Sequence, residues 1–152
     1  MQSNRLAVSW ALDDRSDSCY LIATLFLNDS PFYPEHYTDF MELANSCREP
    51  GEYEILTCSC GCMPCAGIWE GILVSFEEDE IVWRIRQPLV VKYDDDRESD
   101  ELSYDEYRFS RSEYIVKILA AVSSARKIIQ ESPVKLRLIS WKIDDLVNFS
   151  ND

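Results

Sequence analysis

The sequence predicts an α+β fold with a mostly antiparallel sheet, one long amphipathic helix and one short helix. Short runs of alternating apolar and polar residues recur through the first two thirds of the chain, and short polar connections separate them. One long stretch nearer the C-terminus carries apolar residues at helical spacing. The 152 residues fit a single globular domain, 1–152, which is large enough to bury a sizeable core.

Two strands are expected at the start of the chain, over residues 5–10 and 19–27. The polar run 13–18 between them has a turn composition, which predicts a hairpin. Residues 28–34 contain two prolines and should interrupt regular structure. The apolar positions within residues 37–46 then predict the short helix.

Three further strands are predicted in the middle of the chain. Residues 52–58 read as a strand that runs directly into a cluster of cysteines. Residues 68–76 and 80–85 both alternate, and the short charged connection between them favours a hairpin. Pro88 should end or offset the last of these strands. The acidic run 94–101 lacks the spacing of carboxylates and glycine that defines a calcium loop, so we expect a solvated loop there.

The long helix is the clearest predicted element. Ser110 and Glu113 have the spacing of a capping box, and a strand over residues 104–109 leads into it. Pro133 should stop the helix, and in the ambiguous tail beyond it residues 143–149 could form another short helix. The predicted buried stripe consists of Tyr114, Ile115, Ile118, Leu119, Val122, Ala125 and Ile129.

The charge balance restricts the classes of partner. The chain has 28 acidic and 15 basic residues and a net charge of −13. Nucleic-acid binding is therefore not expected, because neutralising phosphates requires an excess of Lys and Arg. A basic protein partner is compatible with this charge, although acidity also serves solubility. Without an apolar run of bilayer length or a secretion signal, we expect no membrane association and a cytoplasmic protein with reduced cysteines.

The most specific local pattern is the stretch T-C-S-C-G-C-M-P-C-A-G at residues 57–67. It places four of the six cysteines within eight residues. Gly61 can supply a positive φ angle and Pro64 stiffens the bend, so part of the pattern is explained by backbone geometry alone. We predict chiefly a structural turn between two strands, with any zinc held as an accessory and not as a catalyst.

Three chemistries remain open for this turn. Thiolates suit zinc, but four ligands from one short loop would strain a tetrahedral site, and Cys47 or His36 could replace one of them. Cys62 and Cys65 form a C-x-x-C, although a redox thiol normally opens a helix and the following residues resemble a strand. The third alternative is reduced thiols that pack as small apolar groups.

A resemblance narrows the metal candidates. The run C-S-C-G-x-x-x-C-A-G-I, a later V-x-W-x-I, and Y-R-F-S-R-S-E-Y at the helix start resemble a loose group of uncharacterised bacterial proteins. Those proteins carry a C-x-C-G-x-x-x-C-A-G turn and a similar helix start, and the resemblance covers about residues 50–130. Cys58, Cys60 and Cys65 match the pattern while Cys62 falls in its variable gap, which implies a three-cysteine metal site or a purely structural turn.

Outside the cysteine turn, the sequence contains no group of residues that matches a known catalytic motif. It has one histidine, His36, and none of the motifs of serine hydrolases, nucleotide-binding enzymes or metalloproteases. We therefore predict a non-enzymatic acidic binding protein, an immunity-type inhibitor that docks a basic protein partner. Size and charge alone support the resemblance to immunity proteins. The alternative is a zinc- or thiol-dependent enzyme centred on the cysteine turn.

Overall fold

A computed structural model of the chain describes residues 3–91 and 103–151, and the predicted α+β class is confirmed. The acidic run 94–101 lies outside the described residues. In chain order the described elements are β1 Leu6–Arg15, β2 Ser18–Leu27, β3 Ser30–Pro31, β4 Tyr37–Thr38, α1 Phe40–Asn45, β5 Gly51–Tyr53, β6 Leu56–Thr57, a 3₁₀ turn Pro64–Ala66, β7 Ile72–Glu77, β8 Glu80–Gln87, β9 Ser103–Ser110, α2 Arg111–Glu131, β10 Leu136–Arg137 and α3 Ile143–Val147. Among these residues, no helix is both long and apolar enough to cross a membrane.

The strands form two sheets where the sequence suggested one. The first has the order β1-β2-β4-β6, with β3 and β10 also paired to β2, and the second has the order β5-β7-β8-β9. The predicted strand 52–58 is divided, because β5 pairs with β7 in one sheet and β6 pairs with β4 in the other. Ile55 lies in the crossing between them and is fully buried. The residues between β5 and β6 therefore pass through the core, and the cysteine turn follows directly after β6.

The first hairpin is longer than its alternation alone indicates. β1 and β2 pair antiparallel from Leu6 opposite Leu27 to Arg15 opposite Ser18, so four of the six residues of the predicted polar connection belong to strands. The alternating burial of β2 shows that one face of the hairpin lies on the core. The polar end of β1 thus extends past the core, and it carries Arg15 to the far end of the sheet.

The capped start of α2 is confirmed, since the Ser110 hydroxyl accepts a hydrogen bond from the Glu113 amide. The predicted stripe is right in most positions and wrong at Leu119, which is 40% exposed, whereas Ala121 is buried. The reason is tertiary: the helix packs along β1 as well as against β8 and β9, and the Trp10 indole donates to the Ala121 carbonyl at 2.9 Å. The residues of α2 that are buried are Tyr114, Ile118, Ala121, Val122 and Ala125.

A buried polar network joins α1, β8 and α2. The Trp83 indole donates to the Tyr114 hydroxyl at 3.2 Å, and that hydroxyl lies 2.6 Å from the Ser46 hydroxyl. Burial raises the pKa of Tyr114 well above its usual range, so the phenol stays neutral and able to donate. Because each polar group has a partner, the network satisfies the buried hydroxyls and fixes the two helices to the second sheet.

The C-terminal segment is fastened across the first sheet by Asp39. This residue caps α1 through the Glu42 amide, and its other carboxylate oxygen accepts hydrogen bonds from Ser140 at 2.6 Å and Trp141 at 3.1 Å. Burial raises the pKa of Asp39 while these donors oppose the rise. The short helix predicted over residues 37–46 therefore starts later than expected. Tyr37 and Thr38 form β4, and α1 begins at Phe40 after its cap, Asp39. Ile139 and Ser140 consequently lie beside Gly61 of the cysteine turn.

Candidate metal centre

The cysteine turn begins where β6 ends at Thr57. The Gly61 amide donates to the Cys58 carbonyl at 3.0 Å, and the Cys58 amide donates to the Cys62 carbonyl at 3.1 Å. Gly61 has a φ of 83°, which an L side chain rarely adopts. A Cβ atom at Gly61 would lie 2.7 Å from the Ser140 Cβ. The first bend of the turn thus requires glycine on two independent grounds.

The second half of the turn is anchored in the core. Pro64 opens the three-residue 3₁₀ turn, and the Gly67 amide donates back to the Pro64 carbonyl at 2.9 Å. Met63 and Ile68 on either side are buried, and the Ile68 amide donates to the Met63 carbonyl. These anchors hold the loop that carries the thiols, so the sulfurs project from a fixed backbone.

Three sulfur atoms converge on the outside of this loop. The Sγ atoms of Cys58, Cys60 and Cys65 all lie within 4.8 Å of one another. Cys58 is half-buried, and the other two are exposed. The Sγ atoms of Cys58 and Cys60 are 2.7 Å apart, and the Cys60 amide donates to the Cys58 sulfur at 3.3 Å.

The three thiols lie close enough to bind a metal ion. Thiolates about 2.3 Å from a tetrahedral zinc ion are separated from each other by about 3.8 Å. The 4.8 Å limit on the three sulfurs lies somewhat above that separation, and the 2.7 Å Cys58–Cys60 distance lies below it. Accommodating an ion therefore requires the closest pair to open by about 1 Å, which side-chain rotation can provide.

Because the thiols lie close together, the pKa values of Cys58 and Cys65 shift in opposite directions. The hydrogen bond from Cys60 lowers the pKa of the Cys58 thiol to about 7, and backbone amides of Cys60 and Cys62 contribute in the same direction. Conversely, the hydrogen bonds of the Cys65 thiol to Cys58 and Cys60 raise the pKa of Cys65 to about 11. Ionised Cys58 therefore exists near neutral pH, while Cys65 keeps its proton.

Arg15 is a further residue of the site that the sequence did not reveal. Its guanidinium donates to the Ser59 carbonyl at 3.1 Å and to Asp13 at 3.0 Å, and it lies 4.6 Å from the centre of the Tyr20 ring. The extended end of β1 thereby brings a positive charge to the turn between Cys58 and Cys60. Arg15 and Ser59 are 44 positions apart, so no local pattern could have indicated this contact.

The alternative ligands considered from the sequence lie outside the three-sulfur cluster. Cys62 is exposed on the same turn, and Cys47 is buried with its sulfur 3.3 Å from the Asn151 side-chain oxygen. The His36 Nε2 atom lies 3.8 Å from the Glu35 carboxylate. Cys65 belongs to a 3₁₀ turn of three residues, so it does not occupy the start of an α-helix, where a dipole would activate a redox thiol.

Comparison with models of known protein families, with curated proteins and with solved structures finds no match to this chain. The resemblance to bacterial proteins with a similar cysteine turn therefore stays a prediction.

Proposed function

We propose that this chain is a non-enzymatic binding protein that holds a zinc ion through Cys58, Cys60 and Cys65. The observation that carries the proposal is the approach of all three sulfurs to within 4.8 Å on one anchored turn. Zinc is a borderline-soft cation that binds thiolates in tetrahedral sites. A reducing cytoplasm, which we propose as the setting, would keep these cysteines available as ligands.

Binding is favoured over catalysis by the side chains around the turn. Three protein ligands leave a fourth zinc position for water or for a group from a partner. Hydrolysis at that position would require a neighbouring base or acid to move protons. Among the described residues, the charged side chain with a hydrogen bond to the turn is Arg15, which pairs with Asp13 and stays protonated at all ordinary pH values.

Elemental analysis of protein purified under reducing conditions without chelator tests the zinc site. We expect about one zinc per chain, and loss of most of it in Cys58→Ser, Cys60→Ser and Cys65→Ser, because a hydroxyl is a poor substitute for a thiolate ligand. Cys62→Ser is the matched control: it removes an exposed thiol of the same turn that lies outside the cluster, and it should retain the metal.

Sub-stoichiometric metal in the unmodified chain, with all thiols free to react in denaturant, would show that the turn is structural only. Loss of zinc in Cys62→Ser to the same degree as in the three other variants would show a different ligand set.

A second candidate function is docking of a basic protein partner through the acidic surface, as an immunity-type inhibitor would. The observation that favours it is the pairing of two arginines of the second sheet with carboxylates of the same chain. Arg84 pairs with Glu77 and Glu106, and Arg108 pairs with Glu77, Glu80 and Glu106. Because these arginines are engaged by carboxylates within the chain, the excess negative charge of −13 remains available to a partner.

Affinity capture from the native host at about 0.05 M and about 0.5 M salt tests this candidate. We expect a partner rich in Lys and Arg that is retained at the lower salt concentration and lost at the higher one, because salt screens attraction between surface charges. A chain alkylated at its exposed thiols, Cys60, Cys62 and Cys65, would show whether docking depends on the cysteine turn. Recovery of no partner, or of one whose binding ignores salt, contradicts the acidic-docking function.

A further inference from the structure

The two closest thiols of the cluster are nearer to each other than zinc coordination allows. The Cys58 and Cys60 sulfurs are 2.7 Å apart. Thiolates that share a tetrahedral zinc ion lie about 3.8 Å apart, and the sulfurs of a disulfide lie about 2.05 Å apart. The pair thus stands between a metal-binding arrangement and a covalent one.

We propose that the turn is a redox-controlled metal site, in which a hydroperoxide joins Cys58 to Cys60 as a disulfide and thereby releases the ion. This inference rests on the zinc binding proposed above. The two states exclude each other, because the disulfide consumes two of the three thiolates and leaves Cys65 as the remaining cysteine ligand.

The chemistry requires one equivalent of peroxide. The Cys58 thiolate attacks one peroxide oxygen, the O–O bond breaks, and hydroxide (or alkoxide from an organic peroxide) leaves, which gives a sulfenic acid. The Cys60 thiolate then attacks the Cys58 sulfur, the S–O bond breaks, and a second hydroxide leaves as the S–S bond forms. Together the two sulfurs lose two electrons and the peroxide gains them, and two protons from solvent neutralise the leaving groups.

The backbone of the turn favours this pair over the other cysteines. The hydrogen bonds of Cys58 with Gly61 and Cys62 close the chain on itself, so the side chains at positions 58 and 60 stay together. Cys60 is exposed, which gives a small peroxide access to the pair. Cys62 follows Cys60 by only two positions but lies outside the cluster. Closeness in sequence alone therefore does not decide which cysteine pairs with Cys58.

The test begins with reduced chain loaded with zinc and then treated with hydrogen peroxide in the presence of a chromophoric chelator. We expect zinc to be released in proportion to disulfide formed, with loss of the mass of two hydrogen atoms per chain. Peptide mapping after alkylation should find Cys58 and Cys60 joined, with Cys65 and Cys62 still reactive. Dithiothreitol should restore both thiols and zinc binding.

Two variants sharpen the result. In Cys62→Ser the release and the disulfide should be unchanged, since its thiol takes no part in the pair. In metal-free Cys60→Ser the sulfenic acid at Cys58 has lost its partner, so dimedone should trap it in place of a disulfide.

The outcomes separate the two proposals. Zinc binding to the reduced chain, with no Cys58–Cys60 disulfide after peroxide, overturns the redox control and leaves the metal site intact. Release of zinc with a disulfide between other cysteines also overturns it. A reduced chain that binds no zinc overturns the proposed metal function, and the release step falls with it.

Discussion

Replacing Ile118 by alanine should lower the free energy of unfolding by about 2–5 kcal/mol, whereas Leu119→Ala should change it by only about 0.5 kcal/mol. The two residues are neighbours on α2 and their side chains are isomers, but Ile118 has no exposed surface and Leu119 is 40% exposed. Truncating the first leaves a cavity between the helix and the sheets, because the packed surroundings relax only partly. Truncating the second removes atoms that already contact water.

Urea denaturation followed by far-ultraviolet circular dichroism measures both effects, and the denaturant slope should stay constant if the transition remains two-state. Val122→Ala provides a second buried site, since Val122 is 1% exposed and faces the same core. Equal losses at Ile118 and Leu119 would mean that the helix packs with a different face than the one described.

This comparison also shows where sequence analysis of the fold reached its limit. The helical period located α2 and its cap because both depend on residues within a few positions of each other. The period could not decide whether Leu119 or Ala121 is buried, since both lie at the margin of the stripe. That choice depends on β1, which places Trp10 against the Ala121 carbonyl from 111 positions away.

The division into two sheets was missed for a related reason. Alternation over residues 52–58 indicates an extended chain but carries no information about which strand it pairs with. In the structure β5 pairs with β7, and β6 pairs with β4, so the extended run changes sheets in the middle. Pairing is decided by long-range contacts, and short strands of two or three residues leave little pattern from which to infer them.

The candidate metal site, like the fold, could be predicted from the sequence only in part. The resemblance to the bacterial cysteine turn indicated Cys58, Cys60 and Cys65 as the candidates, and the structure brings their sulfurs together. The residues that position the turn were not foreseeable, because Arg15 and Ser140 come from opposite ends of the chain. The local sequence thus indicated the three candidate cysteines, and the tertiary fold supplies the contacts that support their turn.

The second large effect is expected for Gly61→Ala, because Ser140 packs directly against Gly61. Gly61 has a φ of 83°, and a left-handed conformation costs an L-residue about 1–2 kcal/mol. The new Cβ would also stand 2.7 Å from the Ser140 Cβ and 2.9 Å from the Ile139 Cγ2. Ser140 cannot simply withdraw, because its hydroxyl donates to the half-buried Asp39 carboxylate at 2.6 Å. The turn must therefore shift, and with it the relative positions of the sulfurs on either side of Gly61.

If the metal-binding arrangement alone bore a penalty of about 1–2 kcal/mol, zinc affinity would fall roughly 5–30-fold. We expect a loss of up to about this size in Gly61→Ala, measured by competition with a chromophoric chelator, while circular dichroism shows the sheets and α2 retained. Adding Ser140→Gly to this variant removes the closest contact and leaves the backbone strain, so it should recover part of the affinity. Unchanged affinity in Gly61→Ala would show that the sulfurs reach the ion without this bend. A reduced affinity that Ser140→Gly fails to improve would assign the effect to the φ angle and the Ile139 contact, and Ser140 would then have no part in holding the cysteine turn.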